Sequence, residues 1–261
     1  MPTVKVNHAS IYYEVNGAGP AVTFAHGAGG NTLVWWQQIP YFAEDYKVVV
    51  FDHRGFGRSP CDEGYKHARY FADDLKAVLD DAGVAKTALV CQSMGGWTGM
   101  HFTMAHPEAV SCLVLSGTPG GVMTPKVAEA RDARARSRAA ETSAVRPWNQ
   151  SHWALAEGAF ERDPSLSYLY GIMSGMNAPP GDTGTGELGI PPEKLKGFST
   201  PTLMIGGEKD RIFPIEALEE VSQIIPGARL HRVAGSGHSP YFEAADEFNR
   251  VAGEFISRHA V

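Results

Sequence analysis

The sequence predicts an α/β fold in which a mostly parallel central sheet carries helices on both faces and is interrupted by one inserted helical segment. Two observations carry this. Short runs rich in Val, Ile and Leu, each bounded by Gly, Pro, Asn or Asp, alternate with segments of helical periodicity, and parallel strands need helical crossovers of that kind. Between residues 119 and 192 the alternation stops and no strand-like run occurs.

The strand-like runs are, in order, SIYYEV, AVTFAH, KVVVFDH, TALVCQ, VSCLVLSG, PTLMIGG and ARLHRVAG. Between the third and fourth, Phe71, Leu75, Val78, Leu79 and Ala82 fall on one helical face, and near the end Phe248, Val251, Phe255 and Ile256 do the same. The interruption opens with KVAEARDARARSRAAE, continues through the aromatic and Met-bearing segment PWNQSHWALAEGAFERDPSLSYLYGIMSGMN, and closes with the Gly/Pro-rich APPGDTGTGELGIPP. This divides the chain into a core, residues 1–118 with 193–261, and a helical insertion, residues 119–192. Arg131, Arg134, Arg136 and Arg138, interleaved with Asp132 and alanines, read as a solvated helix face.

Composition narrows the function classes. The formal charge of -6, from 29 acidic and 23 basic residues without a sustained basic run, argues against a nucleic-acid partner. No apolar run approaches the roughly 20 residues of a membrane span, and MPTVKVNHAS lacks the basic start and apolar core of a signal peptide. Three cysteines, Cys61, Cys91 and Cys112, show neither C-x-x-C nor Cys/His ligand spacing, so no disulfide framework and no zinc site is expected, and a reducing cytoplasm is the expected setting.

In open parallel sheets chemistry gathers at the carboxyl ends of strands. Ser93 follows TALVCQ at once, in the pentad C-Q-S-M-G, just before a helical segment. A nucleophile on a tight strand-to-helix turn needs small residues two places either side, and Cys91 and Gly95 satisfy this for Ser93. With Cys91 as the nucleophile the flanking residues become Leu89 and Ser93, and the leucine defeats the steric logic. Cys91 is therefore read as a small buried residue. A serine hydroxyl needs a base, and of the ten histidines His238 lies in the loop after the last strand-like run, between glycine and serine. Asp210, after PTLMIGG, is the carboxylate placed to orient it, with Glu208 as a neighbouring competitor. HGAGGN after AVTFA offers a glycine-rich turn from which the Ala28 N–H, with the Met94 N–H, would hold an oxyanion. That loop completes neither G-x-G-x-x-G nor G-x-x-x-x-G-K-[ST], so no nucleotide cofactor is expected.

HGAGGN, FDHRGFGRS, CQSMGG, GEKDRIFP and GSGHSPYFEAADEF, in this order, resemble the successive motifs of the α/β-hydrolase fold, specifically its serine-nucleophile esterase and lactonase branch. The resemblance implies that the insertion is a cap, that Ser93, Asp210 and His238 form a catalytic triad, and that no cofactor or metal takes part. The partner it implies is a small to medium hydrophobic ester or lactone; a homodimer is left open. Trp35, Trp36, Trp148, Trp153, Tyr168 and Met173 are candidates to line its pocket, and equally candidates for packing between cap and core. Two alternatives stay open within the fold. GTPGG and ADEFNR resemble carbon-carbon bond hydrolases of ring-fission products, although Ser239 stands where that group typically has tryptophan, and a perhydrolase uses the same triad. A ligand receptor built on the same fold is the alternative of another class.

Overall fold

The computed structural model describes residues 2–140, 152–177 and 181–260. Among them, eight strands form one sheet in the order β1-β2-β4-β3-β5-β6-β7-β8. These are β1 (Thr3–Val6), β2 (Ala9–Asn16), β3 (Ala21–Ala25), β4 (Lys47–Phe51), β5 (Thr87–Gln92), β6 (Val110–Ser116), β7 (Thr202–Gly207) and β8 (Arg229–Val233). From β4 to β8 every pairing is parallel, whereas β2 pairs antiparallel with both β1 and β4. Every residue of β3, β5 and β7 is buried, which is why these strands read as continuous apolar runs rather than alternating ones.

Helices α1 (Gln38–Phe42), α2 (Phe71–Asp81) and α3 (Gly95–Ala105) connect the first strands. Between β6 and β7 lie α4 (Pro125–Ala140), α5 (Ala159–Arg162) and α6 (Pro164–Gly175). The chain ends with α7 (Ile215–Ile224), α8 (Pro240–Glu243) and α9 (Ala245–Ser257). The apolar face read from the sequence of α2 is buried at Phe71, Leu75, Val78 and Leu79. Asp74 shares it, because Arg54 enters from the loop after β4 and donates to both of its carboxylate oxygens, at 2.7 and 2.5 Å.

The sequence reading missed β1. This is a four-residue edge strand, partly exposed throughout, with Lys5 in the middle. It is turned into β2 by Asn7 and His8, both in the left-handed region at φ 41° and 63°, as a two-residue hairpin turn requires. The segment between β6 and β7 leaves and rejoins the sheet layer at one place, where the Met123 N–H donates to Ile190 O (3.0 Å) and the Ile190 N–H to Gly121 O (2.7 Å). Helix α6 starts sharply, with Asp163 accepting the Leu166 N–H at 2.8 Å and Pro164 in its first turn. The arginines of α4 are not uniformly solvated. Arg134 lays its guanidinium 4.4 Å over the Trp153 ring and Arg131 reaches Met123 Sδ at 3.4 Å, whereas Arg136 is exposed. The Arg138 side chain and Trp148 lie outside the described residues.

Candidate active site

Ser93 sits at the corner between β5 and α3 with φ 49°, a conformation that costs a non-glycine residue about 1–3 kcal/mol and persists only where its surroundings enforce it. They do so here through both backbone groups. The Ser93 N–H donates to Ser116 O at 3.0 Å, and the Thr118 hydroxyl donates to Ser93 O at 2.8 Å. The following helix can start this close to the sheet only because residue 95 is glycine: a Cβ there would lie 2.2 Å from Ala25 O. Cys91 is wholly buried, and a Cβ on Gly99 would meet its Sγ at 2.5 Å, so the thiol fills the space under α3. Burial pushes that thiol far above its ordinary pKa.

His238 and Asp210 meet across two loops, with Nδ1 2.8 Å from Oδ2 and both side chains buried. The other oxygen, Oδ1, accepts the N–H groups of Ile212 and Phe213 at 2.7 and 3.1 Å. Glu208, the competitor, is exposed. With Nδ1 donating to the carboxylate, Nε2 is the basic nitrogen, and among the described residues it is buried without a hydrogen-bond partner. The imidazole is held beside the serine corner from both flanks of it. Gln92 donates its amide to His238 O at 3.3 Å, and a Cβ on Gly117 would come within 3.2 Å of His238 Nδ1.

The glycine-rich loop after β3 lies against the same corner, since a Cβ on Gly27 would fall 2.0 Å from Gln92 Oε1 and 2.9 Å from Ser93 Cβ. Ala28 packs onto the small apolar cluster that contains Met94, Phe56 and Phe71. Among the described residues neither the Ala28 nor the Met94 N–H has a hydrogen-bond acceptor. His26 fixes the start of this loop: its Nδ1 donates to Gly27 O (2.8 Å) and its Nε2 accepts the His53 N–H (2.9 Å). Only a neutral imidazole can do both, and burial lowers its pKa accordingly. Asp52 secures the end of the loop by accepting the Thr32 and Arg58 N–H groups at 2.6 and 2.8 Å.

Helix α6 comes down onto these loops. Asn31 donates to Met173 O at 3.1 Å, Asn177 donates to Gly29 O at 3.1 Å, and the Tyr170 and Ser239 hydroxyls are 3.0 Å apart. Of the pocket candidates, Met173 is buried at this junction. Trp35 is wholly buried with its ring centroid 5.0 Å from Phe24 and 4.5 Å from Tyr241, so it serves the core. Trp36 and Tyr168 face outward at 44% and 53% exposure, and Trp153 lies half-buried under Arg134. A pair of adjacent tryptophans does not reveal which one a short 3-10 turn, here Thr32–Trp35, will rotate inward. Sequence reasoning also missed Gln92, Thr118 and Asn177, whose roles are contacts between distant segments.

Among the described residues no group of three or more His, Cys, Asp or Glu side chains is placed to hold a metal ion, and no helix is long and apolar enough to cross a membrane. The sheet order, the strained serine corner and the flanking loops define an α/β hydrolase. Residues 24–251 match the Alpha/beta hydrolase family, and the chain belongs to it. A protein of Azorhizobium caulinodans assigned as the carbamate hydrolase RutD is 28% identical, with 96% of each chain covered. The 2-hydroxy-6-oxo-6-phenylhexa-2,4-dienoate hydrolase of Comamonas testosteroni is also 28% identical, covering 94% of this chain and 91% of that one. Among solved structures, Est816, an N-acyl homoserine lactone degrading enzyme, superposes with a TM-score of 0.79 at 26% identity over 97% of this chain and all of its own.

Proposed function

We propose that this α/β hydrolase cleaves a carboxylic ester or lactone of a small to medium hydrophobic substrate through an acyl-enzyme on Ser93. The observation that carries the reading is the His238–Asp210 pair, with Nδ1 committed to the carboxylate and Nε2 buried without a partner among the described residues, beside a serine held at positive φ. Ser93 attacks the carbonyl carbon while His238 Nε2 takes its proton. The N–H groups of Ala28 and Met94 hold the oxyanion, and His238 returns the proton to the leaving alkoxide. Water, activated by the same nitrogen, then releases the acid. Asp210 keeps the imidazole in the required tautomer and stabilises its cation. The insertion acts as a cap that shapes the acyl pocket, with Met173 and Tyr170 bringing it to the site, and the lactone-degrading relative supports this substrate class. Three free cysteines, two of them buried, suit a cytoplasmic setting.

A second reading, cleavage of a carbon-carbon bond beside a ketone, is supported by the Comamonas relative. One experiment separates the two. Hydrolysis of p-nitrophenyl esters of increasing acyl length is followed for wild type and Ser93→Ala. Sustained, Ser93-dependent release is expected, and its absence alongside Ser93-dependent turnover of a vinylogous diketone would favour the second.

A further inference from the structure

Glu243, the last residue of α8, joins the insertion to the loop that carries His238. Its Oε1 accepts the Gly237 N–H at 2.8 Å and the Ser236 hydroxyl at 3.4 Å. Its Oε2 accepts the Ala156 N–H at 2.8 Å, and the Arg162 guanidinium of α5 stands 3.7 Å from the same oxygen. One carboxylate thus holds the residue before His238 with one oxygen and the insertion with the other. The two backbones also touch directly, since a Cβ on Gly237 would fall 2.3 Å from Ala156 N and 2.5 Å from Leu155 C. The Glu243 side chain is only 6% exposed. Burial raises its pKa, opposed by the Ala156 and Gly237 N–H groups and by Arg162.

Two N–H donors aimed at opposite oxygens require a group that accepts at both ends, as a carboxylate does. An amide turns one end into a donor that faces another donor, and alanine leaves both N–H groups without an acceptor. We propose that Glu243 is a positioning residue that couples the seating of the insertion to the alignment of His238, so that the base is in register with Ser93 only when the insertion is in place. This rests on the serine-hydrolase reading.

The test uses a probe too small to need the insertion. The rate of Ser93 phosphonylation by a small p-nitrophenyl alkylphosphonate, which releases p-nitrophenol as the Ser93 Oγ–P bond forms, is measured beside kcat and KM for a p-nitrophenyl ester, in wild type, Glu243→Ala and the nearly isosteric Glu243→Gln, with thermal unfolding followed for each. Expected are variants that still unfold cooperatively, with phosphonylation and kcat both slowed by about 10- to 100-fold, the scale of a misplaced catalytic group, and Glu243→Gln the milder. A wild-type phosphonylation rate in a folded variant, with only KM raised or Tm lowered, would overturn the coupling and leave Glu243 a purely structural contact. Wild type that is neither labelled at Ser93 nor active on the ester would overturn the serine-hydrolase reading itself, and the coupling with it.

Discussion

The His238 imidazole and the Asp210 carboxylate stand 2.8 Å apart, and the carboxylate is itself locked, because its second oxygen takes two buried N–H groups from Ile212 and Phe213. Turning Asp210 away would strand both donors, at a cost of about 1–3 kcal/mol each. This lock decides what Asp210→Asn does. The two N–H groups select the amide oxygen, which leaves the NH2 facing His238 Nδ1. That nitrogen must then accept, so Nε2 carries the proton and cannot take one from Ser93. Steady-state ester hydrolysis is expected to show kcat lower by about 10⁴-fold with KM little changed. A loss under tenfold would show that the pair does not set the tautomer.

Cys91 and Ser93 respond oppositely to substitution. The thiol is wholly buried, its pKa is pushed far up, and it packs against Gly99. Cys91→Ala removes one sulfur from the floor of α3 and is expected to lower stability by about 1 kcal/mol while leaving kcat within about threefold. Ser93→Ala is expected to reduce turnover to background with stability retained, since alanine keeps the Cβ at the same backbone conformation and loses only the hydroxyl. Urea unfolding and ester hydrolysis on the two variants check both halves. Loss of activity in Cys91→Ala at unchanged Ser93 labelling would return the thiol to consideration.

That Ser93, Asp210 and His238 lie in loops along one edge of the sheet was legible in the sequence because each follows its own strand, and parallel strands all end at the same edge. The residues that hold them there were not. Gln92 reaches the carbonyl of His238 across 146 positions of chain and Glu243 reaches Ala156 across 87, and neither separation leaves a local pattern. Asp74 is buried on the apolar face of α2 because Arg54, 20 residues earlier, pairs with it inside the core, and that separation too leaves no local pattern. The inner parallel strands β3, β5 and β7 announced themselves because burial on both faces demands unbroken apolar runs. The edge strand Thr3–Val6, half in water and four residues long, had no such demand placed on it.

Gly27 has little room for a side chain beside Ser93. A methyl group there would meet Gln92 Oε1, which can swing away, and Ser93 Cβ at 2.9 Å, which cannot. Gly27→Ala must therefore push the loop back, and the Ala28 N–H moves with it. The expected result is a fall in kcat of about 10²- to 10³-fold, the effect of removing one oxyanion donor, with a smaller change in KM. Adding Gln92→Ala is expected not to restore the rate, because the clash with Ser93 persists. Recovery in the double variant would place the whole effect on Gln92.

His26 and His53 tie the fold to acid sensitivity. The two rings meet edge to face with centroids 4.5 Å apart, wholly buried, and burial lowers both pKa values, opposed at His26 by the Asp52 carboxylate and reinforced at His53 by the neighbouring His26. The unfolded chain takes up these protons below about pH 6.5 and the folded chain does not. Stability conferred by the neutral pair is thus fully present above pH 6.5 and is lost as pH falls toward the depressed folded values. Each histidine contributes a slope of at most about 1.4 kcal/mol per pH unit. His53→Gln keeps a partner for the Thr98 hydroxyl, which now lies 2.8 Å from Nε2, and removes one of the two titrations. Urea unfolding at pH 7.5, 6.5 and 5.5 is expected to show wild type losing stability steeply below pH 6.5 and His53→Gln losing it about half as steeply. An equal slope in both would mean that His53 takes up its proton inside the fold, where the Thr98 hydroxyl at Nε2, and Nδ1 with no partner among the described residues, would have to accommodate the charge.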